Sequence, residues 1–217
     1  MGLSEQLAKM REQAAARIPA DTLGTMRQAI RDLAATGIVE ESIAEGDRAP
    51  DFALPNARGE TVASAELLAK GPVVVSFYRG GWCPYCNVEL KALQERLPEI
   101  VDLGASLVAI SPETPDHSLS TAEKNELAFE VLSDEGNGVA RAFGLVFKLA
   151  AEIKPIYDNF GIDLVKQNGD ESYELPITAT YVIAGDGTVR KAFVDPDHTR
   201  RLDPEEVIAA LREAQGA

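Results

Sequence analysis

The chain has 217 residues, 45% hydrophobic and 26% charged, a mix able to bury a core without disulfide or metal staples. Lys and Arg total 21 against 35 Asp and Glu, and the formal charge of -14 repels phosphate backbones, which argues against nucleic acid as a partner. No apolar run approaches the roughly 20 residues of a membrane span, and the N-terminus has no apolar signal region, so a cytoplasmic protein without membrane contact is expected.

Leu3, Leu7, Met10, Ala14 and Ile18 recur at helical spacing, with Ser4 as an N-cap. Pro19 interrupts, and Asp21 caps a second helix carrying Leu23, Met26, Ile30 and Leu33 and ending near Gly37. Residues 1–45 therefore read as a helical arm without candidate catalytic groups, ahead of one domain over 46–217. Its apolar stripes need burial, either against that domain or in a homodimer interface, and the homodimer is the expectation. Residues 49–55 read as a short extended piece, 56–59 as a turn and 61–62 as further strand texture, and Ser64 caps a short helix to Leu68. Val73 to Tyr78 is almost wholly apolar and β-branched, as in a strand buried on both faces. The Arg79-Gly80-Gly81 segment breaks it, and a helix follows as far as Pro98. Residues 106–110 form a second buried strand, 118–125 a helix, 129–132 a strand and 139–143 a short helix. Residues 145–173 carry the weakest pattern. Thr178 to Ile183 and Val189 to Val194 flank a Gly185-Asp186-Gly187 turn and read as a hairpin. Asp203-Pro204-Glu205-Glu206 starts the last helix. The order predicts an α/β sandwich with a mixed central sheet.

Both cysteines fall in Trp82-Cys83-Pro84-Tyr85-Cys86. A bridge closing so short a loop constrains little chain entropy, so a structural staple is a poor explanation. Cys83 falls where a strand gives way to a helix. Unpaired amide N–H groups and the helix dipole there favour an anion, and the thiolate is the reactive form of cysteine. Pro84 fits the first helical turn, and Arg79 adds a nearby positive charge. Cys86, one turn on, can attack a bond formed at Cys83. Zinc would need four ligands, and only His117 and His198, read as solvated loop residues, stand beside the pair. No metal is expected. No Gly-rich nucleotide fingerprint occurs, so no flavin or nicotinamide cofactor is expected.

These residues resemble the thioredoxin superfamily, and more narrowly the peroxiredoxin-like branch of the alkyl hydroperoxide reductase and thiol-specific antioxidant family. The likeness runs from Gly46 to the C-terminus. It rests on Ala49-Pro50-Asp51-Phe52-Ala53-Leu54-Pro55, on the block from Phe77 to Cys86, on Asp134 to Gly144, and on Leu175-Pro176-Ile177-Thr178. The resemblance implies a thioredoxin-like fold, Cys83 as nucleophile, Cys86 as resolving thiol and a cis Pro176 facing the nucleophile. Trp82, Pro84 and Tyr85 support the site as parts of its active-site block. Thioredoxins also keep a buried acid on the strand before the motif, where this chain has Ser76 and Phe77.

The leading expectation is a thiol-disulfide oxidoreductase. A thiol-dependent peroxidase, forming a sulfenate at Cys83 resolved by Cys86, is the alternative, and a non-catalytic redox-sensing or binding protein is a third reading. The substrate would be a disulfide or a peroxide, and a protein or small-molecule thiol would supply the electrons.

Overall fold

The computed structural model describes residues 2–215. Two long helices come first, α1 (Leu3–Arg17) and α2 (Ala20–Ala34), then the short α3 (Ile38–Glu41). The strand-rich part begins with β1 (Ala53–Pro55), β2 (Thr61–Ala63) and α4 (Ser64–Leu68). Next come β3 (Val73–Phe77), α5 (Pro84–Asp102), β4 (Ser106–Ser111), α6 (Pro115–Lys124), β5 (Glu130–Ser133) and α7 (Gly138–Ala142). A small insertion holds β6 (Val146–Lys148), α8 (Lys154–Asn159), α9 (Leu164–Asn168) and β7 (Glu174–Pro176). The chain finishes with β8 (Thr178–Ile183), β9 (Val189–Asp195) and α10 (Pro204–Gln215).

The central sheet has the order β5-β4-β3-β8-β9. Strand β3 runs parallel to β4 and antiparallel to β8, so the sheet is mixed, as the sequence predicts. Every residue of β3 is buried, because helices cover both faces. Val74 and Tyr78 face a cluster shared with Leu90, Leu93 and Leu211 on one side. Val75 and Phe77 face Phe143, Leu145 and Tyr181 on the other. Fully burying each such side chain stabilises the fold by about 1.5–3 kcal/mol, which makes β3 the anchor for the loop that follows it.

Helix α5 runs to Asp102, past the predicted stop at Pro98. A mid-helix proline costs about 3 kcal/mol, but Leu93 and Ile100 on either side of it are buried, and burying two such side chains offsets that. Pro98 itself is exposed, so the carbonyl it leaves free one turn back can meet water.

The first helix is docked on its own chain. Leu3 and Leu7 are buried in the α5–α10 cluster, and the Ser4 hydroxyl donates to Asp203 Oδ2 at 3.0 Å. Ser4 is thus inside the helix rather than its cap, and Gly2 holds the N-cap position. Asp21 likewise lies inside α2, whose N-cap is Pro19. The expectation that the arm's apolar stripes meet a second subunit gives way, for α1, to burial by the same chain.

Candidate active site

Strand β3 ends at Phe77 and α5 begins at Pro84, with Cys83 as its N-cap residue. The six residues between them make a tight loop. The Cys83 amide donates to the Gly80 carbonyl at 3.0 Å, and the Gly81 amide donates to Glu113 Oε2 at 2.9 Å. Gly80 has φ +148°, and a Cβ there would lie 2.2 Å from the Trp82 indole nitrogen. A Cβ on Gly81 would lie 2.0 Å from Thr121 Oγ1. Both glycines are therefore set by close packing, which frees Trp82 to lie over Arg79, whose guanidinium carbon is 4.7 Å from the ring centroid.

Arg79 is 4% exposed and donates a short hydrogen bond from Nη2 to the Tyr157 hydroxyl, while its Nε has no partner among the described residues. Trp82 and Tyr157 also pack against each other with their rings tilted and centroids 5.5 Å apart. Residues from the β3–α5 loop and from α8 thus lock the cation next to the cysteine pair.

Both cysteines are buried free thiols. Cys83 is 1% exposed. Burial by itself pushes the Cys83 thiol up. Hydrogen bonding from the Cys86 thiol, the charges of Arg79 and Arg201 and the Cys86 amide outweigh that and hold Cys83 well below the ordinary thiol range. Cys86 shifts the other way. Its burial, its hydrogen bond to Cys83 and the adjacent negative charge all favour the protonated form. The pair can therefore present one thiolate and one thiol, with the thiolate on the residue nearest the helix N-terminus.

A second cation, from a distant part of the chain, was not legible in the sequence. Arg201 lies just before α10 and is 6% exposed. Its Nη2 donates to Cys86 Sγ at 3.2 Å, and its Nε donates to Glu89 Oε2. Glu89, one turn beyond Cys86 on α5, also accepts from Thr180 Oγ1 at 3.3 Å. Burial pushes Glu89 up to about 7 against the pull of Arg201, while Arg201 shifts upward as an ion pair requires. Desolvation outweighs the pairing with Arg201 at Glu89, which is what brings its two protonation states near balance at neutral pH. A buried acid near the thiols is thus present on the helix, where the strand before the motif has Ser76 and Phe77. Its one sequence signal was an acid three residues past Cys86, on the apolar stripe that continues through Leu90 and Leu93.

Glu113 is a second buried acid, 1% exposed. It accepts from Tyr78 OH and Thr121 Oγ1, each at 3.4 Å, besides the Gly81 amide. Its contacts fix the shape of the loop ahead of Cys83.

Two sequence expectations are corrected. Pro176 is not cis: no cis peptide bond occurs among the described residues. It pairs across from Val146 in the β6–β7 ribbon, and the Ile177 amide donates to the Leu145 carbonyl at 2.8 Å, a register that an extended trans backbone satisfies. Nor does Pro176 line the cleft above Cys83. His198 is not a solvated loop residue. It is half-buried, packs edge-on against Tyr85 with centroids 5.8 Å apart, and is held neutral by burial and by Arg79 and Arg201.

A cleft of about 560 Å³ opens above Cys83, lined by Arg79, Trp82, Tyr85 and Tyr157 on one side and by α1 and α2 on the other. No cluster of His, Cys, Asp and Glu among the described residues could hold a metal ion.

The family model of the AhpC/TSA family matches residues 45–192. The chain belongs to that family. Its thioredoxin-like fold places it among the peroxiredoxin-like proteins. It is 32% identical over 129 residues to the chloroplastic peroxiredoxin Q of Triticum aestivum, which is 59% of this chain and 59% of the relative. It is 35% identical over 100 residues to peroxiredoxin Bcp of Escherichia coli, 46% of this chain and 64% of the relative. The chain thus spans about three fifths of the length of these AhpC/TSA relatives. Among solved structures, peroxidoxin BcpB from Mycobacterium tuberculosis is similar, with 25% identity, a TM-score of 0.62, and coverage of 79% of this chain and 97% of that one. No helix among the described residues is long and apolar enough to cross a membrane.

Proposed function

We propose that this protein is an oxidoreductase of the thiol-dependent peroxidase type, with Cys83 as nucleophile and Cys86 as resolving thiol. The Cys83 thiolate attacks the terminal oxygen of a hydroperoxide. An S–O bond forms, the O–O bond breaks, and the alkoxide leaves and takes up a proton as the alcohol. Cys83 is then a sulfenic acid. The Cys86 sulfur attacks it, a disulfide forms, and the hydroxyl leaves as water with the Cys86 proton. Small-molecule thiols, which can pass the cleft, return two electrons and two protons by exchange.

The observation that carries this reading over thiol-disulfide exchange is the cover on Cys83. With 1% exposure, its sulfur is reached through a roofed cleft. Attack on a protein disulfide needs the two sulfurs and the attacking thiolate in line, with two chains in contact, and the roof obstructs that approach. A hydroperoxide needs only a path for a small molecule. The Arg79 and Arg201 guanidinium groups favour the thiolate, and Arg79 faces the cleft where negative charge develops on the departing oxygen. The peroxiredoxin names of the relatives support the same choice.

The test is stopped-flow mixing of reduced protein with hydrogen peroxide, followed by the fluorescence of Trp82, the one tryptophan. Wild type should react in two phases, oxidation and resolution. Cys86→Ser should show the first phase and stop, and Cys83→Ser should show neither. Insulin reduction faster than peroxide reduction would return the chain to the disulfide reading.

A further inference from the structure

Arg201 is anchored through every nitrogen of its guanidinium. Nε donates to Glu89 Oε2, and Nη1 donates to the His198 and Arg200 carbonyls, each at 2.6 Å. That fork leaves Nη2 aimed at Cys86 Sγ, 3.2 Å away. The next two residues hold the segment against the core. Leu202 is buried, and Asp203 accepts from the Ser4 hydroxyl. The planar donor is therefore fixed on one sulfur.

A protonated thiol is a weak acceptor and a thiolate a strong one. Cys86 is the protonated member of the resting pair, so the buried guanidinium gains little from it there. The contact strengthens when negative charge reaches that sulfur. An interaction stronger in the reacting state than in the ground state is the kind that accelerates a step. Negative charge reaches Cys86 twice in a redox cycle. It arrives first when Cys86 attacks the oxidised Cys83. It arrives again on reduction: Cys83 lines the cleft, whereas Cys86 is fully buried and does not. An incoming thiol therefore meets Cys83 Sγ, and Cys86 is the sulfur that leaves.

We infer that Arg201 is a catalytic residue of the second half of the cycle, its Nη2 holding Cys86 Sγ as a thiolate both when it attacks and when it leaves, with Glu89 as the positioning residue that orients it. In the first step the S–S bond forms, the S–O bond of the Cys83 sulfenic acid breaks, and hydroxide leaves as water with the proton that Cys86 gave up. In the second step a small-molecule thiolate bonds to Cys83 Sγ, the Cys83–Cys86 bond breaks, and its electron pair stays on Cys86 beside Arg201. A second thiol then attacks the small molecule's sulfur and releases a small-molecule disulfide. The two electrons end on the cysteine pair and a proton on Cys86. The attacking role rests on the peroxidase reading, whereas the leaving role holds for disulfide exchange as well.

The test begins from the disulfide form, prepared with diamide. Its reduction by dithiothreitol is followed by Trp82 fluorescence, so no peroxide enters. Arg201→Lys keeps a cation beside Glu89 and loses the second arm of the fork, and it should slow reduction about tenfold. Arg201→Met with Glu89→Leu, which strands no charge, should slow it at least as much. Glu89→Gln keeps an acceptor for Arg201 Nε and removes the competing negative charge, so it should be at least as fast as wild type. Cys86 is the lone thiol of Cys83→Ser, and its thiolate absorbance should appear at higher pH once Arg201→Met and Glu89→Leu are added. A purely structural Arg201 would not move it. Arg79, Tyr78, Glu113 and Tyr157 also act electrostatically on Cys86 and are the same in both proteins. Wild-type reduction rates in the arginine variants or an unmoved Cys86 absorbance would overturn the assignment. So would a Glu89→Gln protein slowed about tenfold, since the acid rather than the arginine would then serve Cys86. If reduction follows the expected order but hydrogen peroxide does not oxidise the protein, Arg201 keeps its leaving-group role and the peroxidase reading fails.

Discussion

Arg201 Nη2 lies 3.2 Å from the sulfur of Cys86, a residue 115 positions earlier in the chain. The same guanidinium is bonded to Glu89, so one buried cation serves the thiol pair and a buried acid. Removing it leaves that acid without its charge partner. Arg201→Ala should destabilise the protein by about 3–5 kcal/mol, the cost of an uncompensated buried charge. Arg201→Met combined with Glu89→Leu should recover most of it, because no charge is then stranded. Urea unfolding of the single and double variants checks this, and a double variant as unstable as Arg201→Ala would contradict it.

Cys83 should titrate well below the reference thiol value of about 8.5. Its reaction rate with peroxide should then persist as pH falls through neutrality, since the thiolate remains. Arg79→Met removes one of the charges that lower it, so the midpoint should move up. Thiolate absorbance against pH, read in wild type and variant, measures both. A Cys83 midpoint at or above the reference in wild type would remove the electrostatic account of its reactivity.

Glu89 gives a pH dependence of stability with a definite sign. Its carboxyl rises from the ordinary 4.5 to about 7 on folding, so the folded state binds the extra proton between those values. The associated stability is present below the unfolded value and is lost as pH rises through the folded one. Glu89→Gln cannot titrate, whereas Glu113 and Asp134 titrate in both proteins and cancel. The stability difference between wild type and Glu89→Gln should shift against wild type from about pH 4.5 to 7. Denaturant midpoints across that range would refute this by staying parallel.

Gly80→Ala should disturb the site without touching a thiol. Its Cβ would fall 2.2 Å from the Trp82 indole nitrogen, at a φ of +148°. The indole must move off Arg79, at a cost of about 1–3 kcal/mol in strain and lost packing. A red-shifted Trp82 emission and a slower reaction at Cys83 should appear together. Unchanged emission would mean that the glycine is dispensable.

The sequence by itself determined the β3–loop–α5 unit. The apolar run Val73 to Phe77, the Gly80-Gly81 break and the proline after Cys83 are local signals, and strand burial and helix capping read them directly. It also determined the amphipathic character of α1 and α2. What covers those stripes, how the acid reaches the thiols and which isomer Pro176 adopts were decided by contacts between residues far apart in the chain. Arg201 finds Cys86 only because α10 packs on α5, and Tyr157 finds Arg79 only because the 145–173 insertion folds back beside the loop. Pro176 is trans because it is paired with β6, a strand that no local pattern announced. Local propensity acts over one turn or one pleat, whereas the balance of desolvation, charge pairing and cavity shape at Cys83 arises where four distant segments meet.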